Sequence, residues 1–444
     1  MFKGNKKLLT ATLSSILIVP TSFAINLDNV EWEREAFLEQ NKIENRYATV
    51  SESTILQAHN AYNSTDYGYS IDPNHRYTFT EMVELGARSL EIDMYTTTGD
   101  RIIVCHGLCD YVGDDLLDRF LTRIVNASNN NDDYTPILIQ IEKGNDDIQG
   151  RLADIIATVP DFADKLYTPL DRPGFDPDND RLEADEFILD EIRDAGKLFM
   201  FYGGGVGSSN NQSYRNTVFN LGPKKEEKNT GNLEAEGMCN LDHTQMYRVV
   251  EDHTNIGRTS PRRVYGYQEL REAMDCGVNM FGLDSNEWSW VTTTRLNELV
   301  WSWKNGLPNS DGQHCAIIRA ADAENQELGY FTDLSCETTK RALCKSSAGD
   351  WAVTDTTSSW ATSISNCTNE YGSDYTFSMP VSKVELAAAN EAIRESNDRK
   401  GYTGGTQTNV WIDYAKRTEM RIHNVWTPFA TRFYFDRLTT PGKG

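Results

Sequence analysis

The stretch SLEIDMY, residues 89–95, decides the fold class because it has the length of a buried strand and yet carries two acidic residues. In a strand, Glu91 and Asp93 would share one face, while Leu90 and Ile92 would lie on the other. Carboxylates held side by side repel each other unless they share a proton or bind a cation. The stretch therefore predicts a strand that contributes to a polar site.

Similar apolar runs recur between residues 50 and 305 and alternate with helical patterns, as they do in parallel βαβ units. FTEMVELG and YQELREAMDCG predict helices that end at Gly86 and Gly277, where a left-handed cap is favoured. The remaining strand candidates are TILQAH (54–59), RIIVCH (101–106), PILIQIE (136–142), KLFMFYG (197–203) and VNMFGLD (278–284).

About 250 residues of this alternation favour an α/β fold of the TIM-type (β/α)8 barrel. A doubly wound sheet is the alternative, but no GxGxxG motif follows the first strand candidate. We therefore expect the barrel to occupy residues 25–304.

Polar residues of catalytic type fall at the ends of several of these strands, and active sites gather at the carboxyl ends of barrel strands. Taken singly, each could be a hydrogen-bonded loop residue, an ion-pair partner or a solvated side chain. Their joint placement predicts a site with Asn60, Glu91, Asp93 and Glu142 as oxygen ligands, the donor type that Ca²⁺ prefers, with Mg²⁺ as the second choice. His59 and His106 are the candidate acid–base groups.

The first residues combine Lys3, Lys6 and Lys7 with an apolar run to Val19 and a Ser22-Phe23-Ala24 ending. This pattern predicts a signal peptide over residues 1–24. A membrane anchor is the alternative, but spanning needs about 20 apolar residues. We expect a secreted protein, extracellular or periplasmic, without a transmembrane segment after cleavage.

The eight cysteines fit bridges in an exported protein better than a zinc site, since no ligand-spaced pairs recur. The formal charge is −23, from 66 acidic and 43 basic residues, so binding to nucleic acid is not expected. An anionic substrate would then need local cations or a bound metal ion.

QAHNAYN (57–63), EMVELGARSLEIDMYTTTGDRIIVCHG (81–107) and PILIQIEKGN (136–145) together resemble the X region of calcium-dependent phosphoinositide-specific phospholipases C, within the phospholipase C-like phosphodiesterase superfamily. A weaker likeness continues in YGYQELREAMDCGVNMFGLDSN (265–286). The pattern of the family falls on His59, Asn60, Glu91, Asp93, His106 and Glu142. The metal-independent bacterial branch has an arginine at the metal position, and Glu91 and Asp93 show no such replacement.

The resemblance implies that a metal ion binds a phosphate oxygen and activates the attacking hydroxyl. His59 as imidazolium would stabilise the phosphorane, and His106 would protonate the leaving alkoxide. Glu91, Asp93 or a deprotonated His59 could be the base, and Lys143 could add positive charge near the phosphate. The Y half and the basic residues that bind ring phosphates in eukaryotic members are not recognisable, which favours an unphosphorylated head group.

Beyond residue 305 the alternation stops and the sequence becomes rich in Trp, Cys, Ser and Thr. SWKNGLPNSDGQHCAIIRAADAENQELGYFTDLSCETTKRALC (302–344) resembles the second half of a C-type lectin-like domain, and residues 350–393 with NVWIDY (409–414) resemble its first half. The resemblance implies a permuted, disulfide-containing α+β domain over 305–444, with Cys315 paired to Cys336 and Cys344 to Cys367. Leu307-Pro308-Asn309 and Phe331-Thr332-Asp333 replace the family's sugar-binding Glu-Pro-Asn and Trp-Asn-Asp. The ligand could be a glycan or a protein, and a structural cap without a ligand is the alternative.

The sequence thus predicts a phosphodiesterase of phosphatidylinositol phospholipase C type that acts on a phospholipid or related phosphodiester at a membrane surface. Two alternatives stay open. One is a glycerophosphodiester or sphingolipid phosphodiesterase, and the other is a secreted binding protein or adhesin whose barrel has lost catalysis.

Overall fold

The structure is a computed structural model, and it describes a discontinuous set of residues. These are 31–69, 71–97, 101–105, 109, 115–129, 135–143, 146–223, 225–227, 243–252, 265–284, 293–304, 306–307, 313–319, 329–403, 408–416 and 426–427. The predicted signal peptide lies outside them.

The first sheet contains the strands predicted for the barrel together with shorter ones. In chain order its strands are β1 (Ile55–Ala58), β2 (Ala87–Thr96), β3 (Ile102–Val104), β4 (Asp115–Leu116), β5 (Ile137–Lys143), β6 (Leu166–Tyr167), β7 (Phe199–Gly203), β8 (Val218–Asn220), β9 (Lys225–Glu227), β10 (Tyr247–Val250) and β11 (Met280–Leu283).

Apart from the antiparallel ladders of β3 and β4, the ladders of this sheet are parallel and run in two directions from β1. One arc follows β1, β2, β5, β7 and β8, and the other follows β1, β11, β10 and β9. The pairing of β11 with β1 brings the end of this region back to its beginning, as a barrel requires. The predicted mixed α/β fold with a central parallel sheet is therefore confirmed. Within the described residues no ladder joins β8 to β9, so full closure as an eight-stranded barrel stays a prediction.

RIIVCH (101–106) was predicted as a further barrel strand, and this prediction is wrong. Its described part, β3, pairs antiparallel with the end of β2 and also with β4. β2 is ten residues long, which leaves its last residues free to form a hairpin above the parallel ladder. The segment is therefore an extension of β2 rather than an additional barrel position.

Helices cover the outer face of the first sheet and link its strands. They are α1 (Glu31–Tyr47), α2 (Phe79–Glu84), α3 (Leu117–Asn129), α4 (Asp146–Ala157), α5 (Pro160–Ala163), α6 (Asp190–Asp194), α7 (Gln212–Arg215), α8 (Tyr267–Asp275) and α9 (Thr293–Leu299), with short 3₁₀ helices at Thr65–Tyr67, Pro169–Asp171 and Val206–Ser208. The two predicted glycine stops are present, since Gly86 and Gly277 have φ of 97° and 102°. Only a residue without a β-carbon adopts this conformation at little cost.

The side chains enclosed by the first sheet become more polar toward the carboxyl ends of the strands. Ile55, Leu138, Met200 and Met280 belong to one apolar cluster. Two residues further along the strands, Gln57 donates to Ser89 (2.9 Å), Gln140 (2.8 Å) and Tyr202 (3.2 Å). Because side chains repeat every second residue on one face, the next layer contains His59, Glu91, Glu142 and Asp284. The packing of the strands thus supports a polar site at one end.

A second sheet follows, made by β12 (Cys315–Ile318), β13 (Phe331–Leu334), β14 (Arg341–Ser346), β15 (Trp351–Val353), β16 (Tyr375–Phe377), β17 (Val410–Lys416) and β18 (Trp426–Thr427), with α10 (Trp360–Tyr371) and α11 (Lys383–Lys400). Its ladders are antiparallel except where β14 pairs parallel with β17.

Disulfides join Cys315 to Cys336 and Cys344 to Cys367, the pairs that the lectin-like resemblance implies. Cys105 is bonded to Cys109, while Cys239 lies outside the described residues. The lectin-like identity of this region and the domain boundary at 304/305 stay predictions.

Helix α1 connects the two sheets. Gln40 donates to the carbonyl of Leu299 (3.0 Å), and the indole of Trp301 donates to Glu44 (2.7 Å). The aromatic rings of Trp303, Phe331 and Tyr414 pack between the sheets at centroid distances of 5.8 to 6.2 Å. One continuous apolar core consequently includes residues of both sheets. Among the helices of the described residues, none has the length and apolar character needed to cross a membrane.

Candidate active site

The candidate site lies where four neighbouring strands end. His59 follows β1, Asp284 follows β11 and Glu251 follows β10, while Glu91 lies within β2. The backbone N–H of His59 donates to Leu283 (3.2 Å) and that of Glu251 donates to Gly282 (2.7 Å), which extends the ladders past the strand ends. All of these side chains are buried. The parallel ladder therefore fixes their order around the site.

His59 is held from three sides. Its Nδ1 lies 2.9 Å from Oδ1 of Asp284, and its backbone carbonyl accepts a hydrogen bond from Nε2 of His75 (2.5 Å). Its Nε2 lies 3.2 Å from the amide nitrogen of Asn60 and 3.8 Å from Oε2 of Glu91. The ring therefore faces one carboxylate on each nitrogen.

These two carboxylates decide the charge of His59. Burial disfavours the imidazolium, but the negative charges of Asp284 and Glu91 outweigh it, so the pKa of His59 is raised. A raised pKa keeps the ring protonated to higher pH than a free histidine. The geometry thus favours a charged ring.

Asn60 has an unusual backbone conformation, with φ of 49°. Its side-chain oxygen accepts a hydrogen bond from the hydroxyl of Tyr62 (3.0 Å), and the same hydroxyl lies 3.5 Å from Oδ2 of Asp93. The Tyr62 hydroxyl therefore links the Asn60 oxygen to the Asp93 carboxylate of β2.

Glu91 makes an ion pair with Arg248 of β10 through its Oε2 atom, and both residues are buried. Burial raises the pKa of Glu91, whereas the positive charges of Arg248 and His59 lower it. The effect of the two charges is the larger one, so the pKa of Glu91 is lowered overall. Oε1 of Glu91 is buried without a hydrogen-bond partner. Glu91 is therefore ionised with one oxygen still available to a cation.

Glu142 lies near Glu91, although it is itself exposed. It lies at a bulge, because Ile92 pairs with Ile141 whereas Asp93 pairs with Lys143. Bulges redirect side chains at the rims of sheets. The extra residue thus turns Glu142 toward the acidic cluster.

The donor set suits a hard divalent cation in its chemistry, since Asn60, Glu91, Asp93 and Glu142 offer amide and carboxylate oxygens. The buried, unpartnered Oε1 of Glu91 is the atom that most needs a cation. In the described part of the chain, however, no three His, Cys, Asp or Glu side chains lie at metal-ligand spacing. Within the described residues, these oxygens therefore do not form a coordination shell.

The structure therefore brings together five of the predicted site residues: His59, Asn60, Glu91, Asp93 and Glu142. His106 lies outside the described residues. Lys143 ends β5, and its side chain is also outside the described part.

Sequence reasoning missed Asp284, Arg248 and Glu251. The sequence could have indicated Asp284, because this residue ends the predicted strand VNMFGLD in the same way as His59 ends TILQAH. Arg248 and Glu251 belong to the run YRVVE, which was not recognised as a strand.

Together, the fold and the site define a class of protein: a parallel α/β sheet that carries a buried histidine–aspartate pair beside a cluster of carboxylates, suited to acid–base chemistry at the strand ends. Residues 48–183 match the family model described as "Phosphatidylinositol-specific phospholipase C, X domain". This part of the chain is thus similar to the family that its motifs predicted.

Other proteins show similarity over longer parts of the chain. An uncharacterized protein of Mycobacterium tuberculosis is 23% identical over 366 residues, covering 73% of this chain and 70% of the relative. Phosphatidylinositol-specific phospholipase C from Staphylococcus aureus aligns over 60% of this chain and 98% of its own, with 11% identity and a TM-score of 0.41. A calcium-dependent phosphoinositol-specific phospholipase C from Pseudomonas sp. aligns over 56% and 91%, with 14% identity and a TM-score of 0.31.

Proposed function

We propose that this protein cleaves phosphatidylinositol, or a related lipid phosphodiester, by metal-assisted acid–base catalysis of the phospholipase C type. The observation that carries the proposal is the position of His59, which is held by Asp284 and faces Glu91 within the matched X domain. The Asn60 and Asp93 oxygens beside them are linked through Tyr62.

In this proposal, His59 acts as an imidazolium that stabilises negative charge on the phosphorane. Its raised pKa supports this role over that of a general base. Asp284 keeps the ring oriented by accepting from Nδ1, so Nε2 is the nitrogen on the side of Asn60 and Glu91. His106 would donate the proton to the leaving alkoxide.

Asn60, Glu91, Asp93 and Glu142 would hold the metal ion, with Ca²⁺ preferred over Mg²⁺ for an all-oxygen set. When bound, the ion would supply positive charge that lowers the pKa of the attacking hydroxyl. Arg248 would keep Glu91 ionised and in place.

The substrate is proposed to carry an unphosphorylated head group. The net charge of −23 opposes highly anionic ligands and anionic surfaces. Phosphatidylinositol and glycosyl-phosphatidylinositol each carry one phosphodiester on the inositol ring, which Lys143 and the metal ion could neutralise locally.

We further propose that the protein is secreted and that residues 305–444 form a C-type lectin-like accessory domain with a glycan or protein ligand. The leader-like N-terminus and the disulfides support export. The pairing of the cysteines supports the lectin-like assignment.

The test is an assay of the purified protein against vesicles of phosphatidylinositol, against glycosyl-phosphatidylinositol anchors and against soluble glycerophosphodiesters, with and without chelator. His59→Ala is compared with His243→Ala, which removes an exposed histidine. We expect an inositol phosphate product that is lost with chelator and with His59→Ala but kept with His243→Ala.

Other outcomes separate the alternatives. Preference for soluble diesters would favour a glycerophosphodiesterase, and cleavage of sphingolipid would favour a sphingolipid phosphodiesterase. Activity that survives chelation would overturn the metal assignment. Absence of activity on all of these substrates would favour a binding protein.

A further inference from the structure

Glu251 is a buried acid next to the site that no step of the proposed mechanism uses. It follows β10 directly and is fully shielded from solvent. Its Oε2 accepts a hydrogen bond from the backbone N–H of Asp284 (3.0 Å). Its Oε1 accepts from the backbone N–H of Tyr265 (2.7 Å) and from the guanidinium of Arg295 (2.5 Å). One carboxylate thus binds groups from three separate parts of the chain.

These contacts lead to the catalytic ring in two steps. Glu251 fixes the backbone of Asp284, and the carboxylate of Asp284 binds Nδ1 of His59 at 2.9 Å. The other oxygen of Asp284 accepts from Asn74 (2.8 Å). Because β10, β11 and β1 are consecutive neighbours in the sheet, the connection crosses adjacent strand ends.

The charge of Glu251 is compensated locally by Arg295. Its effect on His59 is therefore geometric, through the backbone position of Asp284, rather than a direct electrostatic effect. Displacing a catalytic group by about 1 Å can cost up to a hundredfold in rate.

We infer that Glu251 is a positioning residue that sets the place of Asp284 and, through it, the orientation of His59. The inference rests on the proposed function, since it assigns Glu251 a role in that same site. It also explains why a carboxylate is needed. A glutamine in its place would have one acceptor oxygen and would turn its NH₂ group toward a donor.

The test is a double-mutant cycle that combines Glu251→Gln with Asp284→Asn. Alone, Glu251→Gln should lower kcat by about tenfold or more, the usual scale for a residue that orients a catalytic group, and leave KM nearly unchanged. In the Asp284→Asn background the same substitution should have almost no further effect on kcat. Glu251→Asp, which keeps the charge, should restore part of the rate.

The matched control is Glu298→Gln. Glu298 lies on α9 with Arg295 and binds Arg271 at 2.8 Å, so the substitution also breaks an ion pair of this helix. It should leave kcat unchanged.

Hydrogen exchange of a peptide that covers residues 278–284 gives a readout that does not need activity. Exchange should become faster in Glu251→Gln than in Glu298→Gln. Unchanged exchange, or an effect on kcat that persists in full in the Asp284→Asn background, would overturn the inference while the proposed function stands. An inactive wild-type protein would overturn the proposed function, and with it the catalytic role of Glu251.

Discussion

Asn60 shows how much of the site depends on one backbone conformation. Its φ of 49° is in the left-handed region, where a β-carbon is unfavourable and asparagine is tolerated better than most residues. The turn allows the next residue, Ala61, to donate its N–H to the carbonyl of Glu91 (3.0 Å). The backbone and the side chain of Asn60 therefore have separate roles that substitutions can distinguish.

In the proposed metal site, replacing Asn60 by glycine should weaken calcium binding without loss of stability, because glycine keeps the turn but removes the proposed ligand oxygen. Asn60→Ala should weaken calcium binding equally and also destabilise the fold by about 1–2 kcal/mol. Calorimetric titration and thermal unfolding would check the two effects. Equal stability of the two variants would show that the turn is not strained.

At the residue scale, the sequence predicted polar side chains from their place relative to the strands: His59 and Asn60 follow an apolar run, and Glu91 and Asp93 lie within one. It could not predict Arg248. An arginine inside a short strand normally points to solvent, and its ion pair with Glu91 depends on a partner 157 positions away. Such a pairing follows from strand order, which composition and periodicity do not contain.

At the element scale, β11 makes room for this arginine. A β-carbon at Gly282 would lie 3.1 Å from Oε1 of Gln57 and 3.2 Å from Nε and Nη2 of Arg248. Because β11 lies between β1 and β10, glycine at this position lets the Arg248 side chain cross toward Glu91. The alternation of strand and helix predicted β11 itself, but not the reason for its glycine.

Gly282→Ala should therefore displace Arg248, reduce the proposed phosphodiesterase activity and destabilise the protein by about 1–3 kcal/mol, as overpacking does. Gly204→Ala is the control, since a β-carbon at Gly204 would meet open space. Initial rates and denaturant unfolding of both variants provide the comparison. Wild-type activity in Gly282→Ala would mean that the Arg248–Glu91 pair has no part in the reaction.

β2 and β3 show where the hydrophobic periodicity gave a wrong prediction of strand direction. RIIVC has the apolar character of a barrel strand, yet β3 runs antiparallel to β2. Only a short segment, Thr97 to Arg101, lies between them, and parallel strands need a crossover of a dozen residues or more. The connection length was therefore the better guide, and it favoured a hairpin.

At the scale of the whole molecule, the two sheets share one core. Trp301 and Trp303 are almost fully buried, and they contact Phe331 of the second sheet. The change in sequence texture near residue 305 predicted the change of architecture. It could not predict the shared core, because single aromatic residues do not reveal their partners.

Trp303→Ala should destabilise both sheets together by about 3–5 kcal/mol, the usual cost of truncating a buried aromatic residue. We expect calorimetry to show one unfolding transition at lower temperature. Trp351→Ala, a partly buried tryptophan of β15, should have a smaller effect. Two separate unfolding transitions, of which only one shifts to lower temperature, would show that the sheets unfold independently.

The contact between the first sheet and helix α11, which packs with the second sheet, also depends on pH. Burial and the negative charge of Glu385 on α11 raise the pKa of Glu52, which precedes β1. A carboxyl group with a raised folded-state pKa contributes stability below its unfolded pKa and loses that contribution as pH rises through the folded value.

Glu52→Gln should therefore raise Tm by about 2 °C at neutral pH, and the gain should disappear near pH 4. Glu337→Gln, which removes an exposed acid, is the control. The measurement is Tm against pH, and a gain that grows toward low pH would contradict the assigned shift.

Helix α1 has a consequence for how the chain is made. Its hydrogen bonds join Gln40 to Leu299 and Glu39 to Tyr414, which are 259 and 375 positions apart. An isolated helix of this length is marginal in water, and contacts so distant form late in folding. During synthesis, α1 is the first of the described helices to leave the ribosome, and it gains these two contacts only after the distant residues have emerged. Until residue 414 has emerged, the part of α1 that contacts Tyr414 is available to a chaperone.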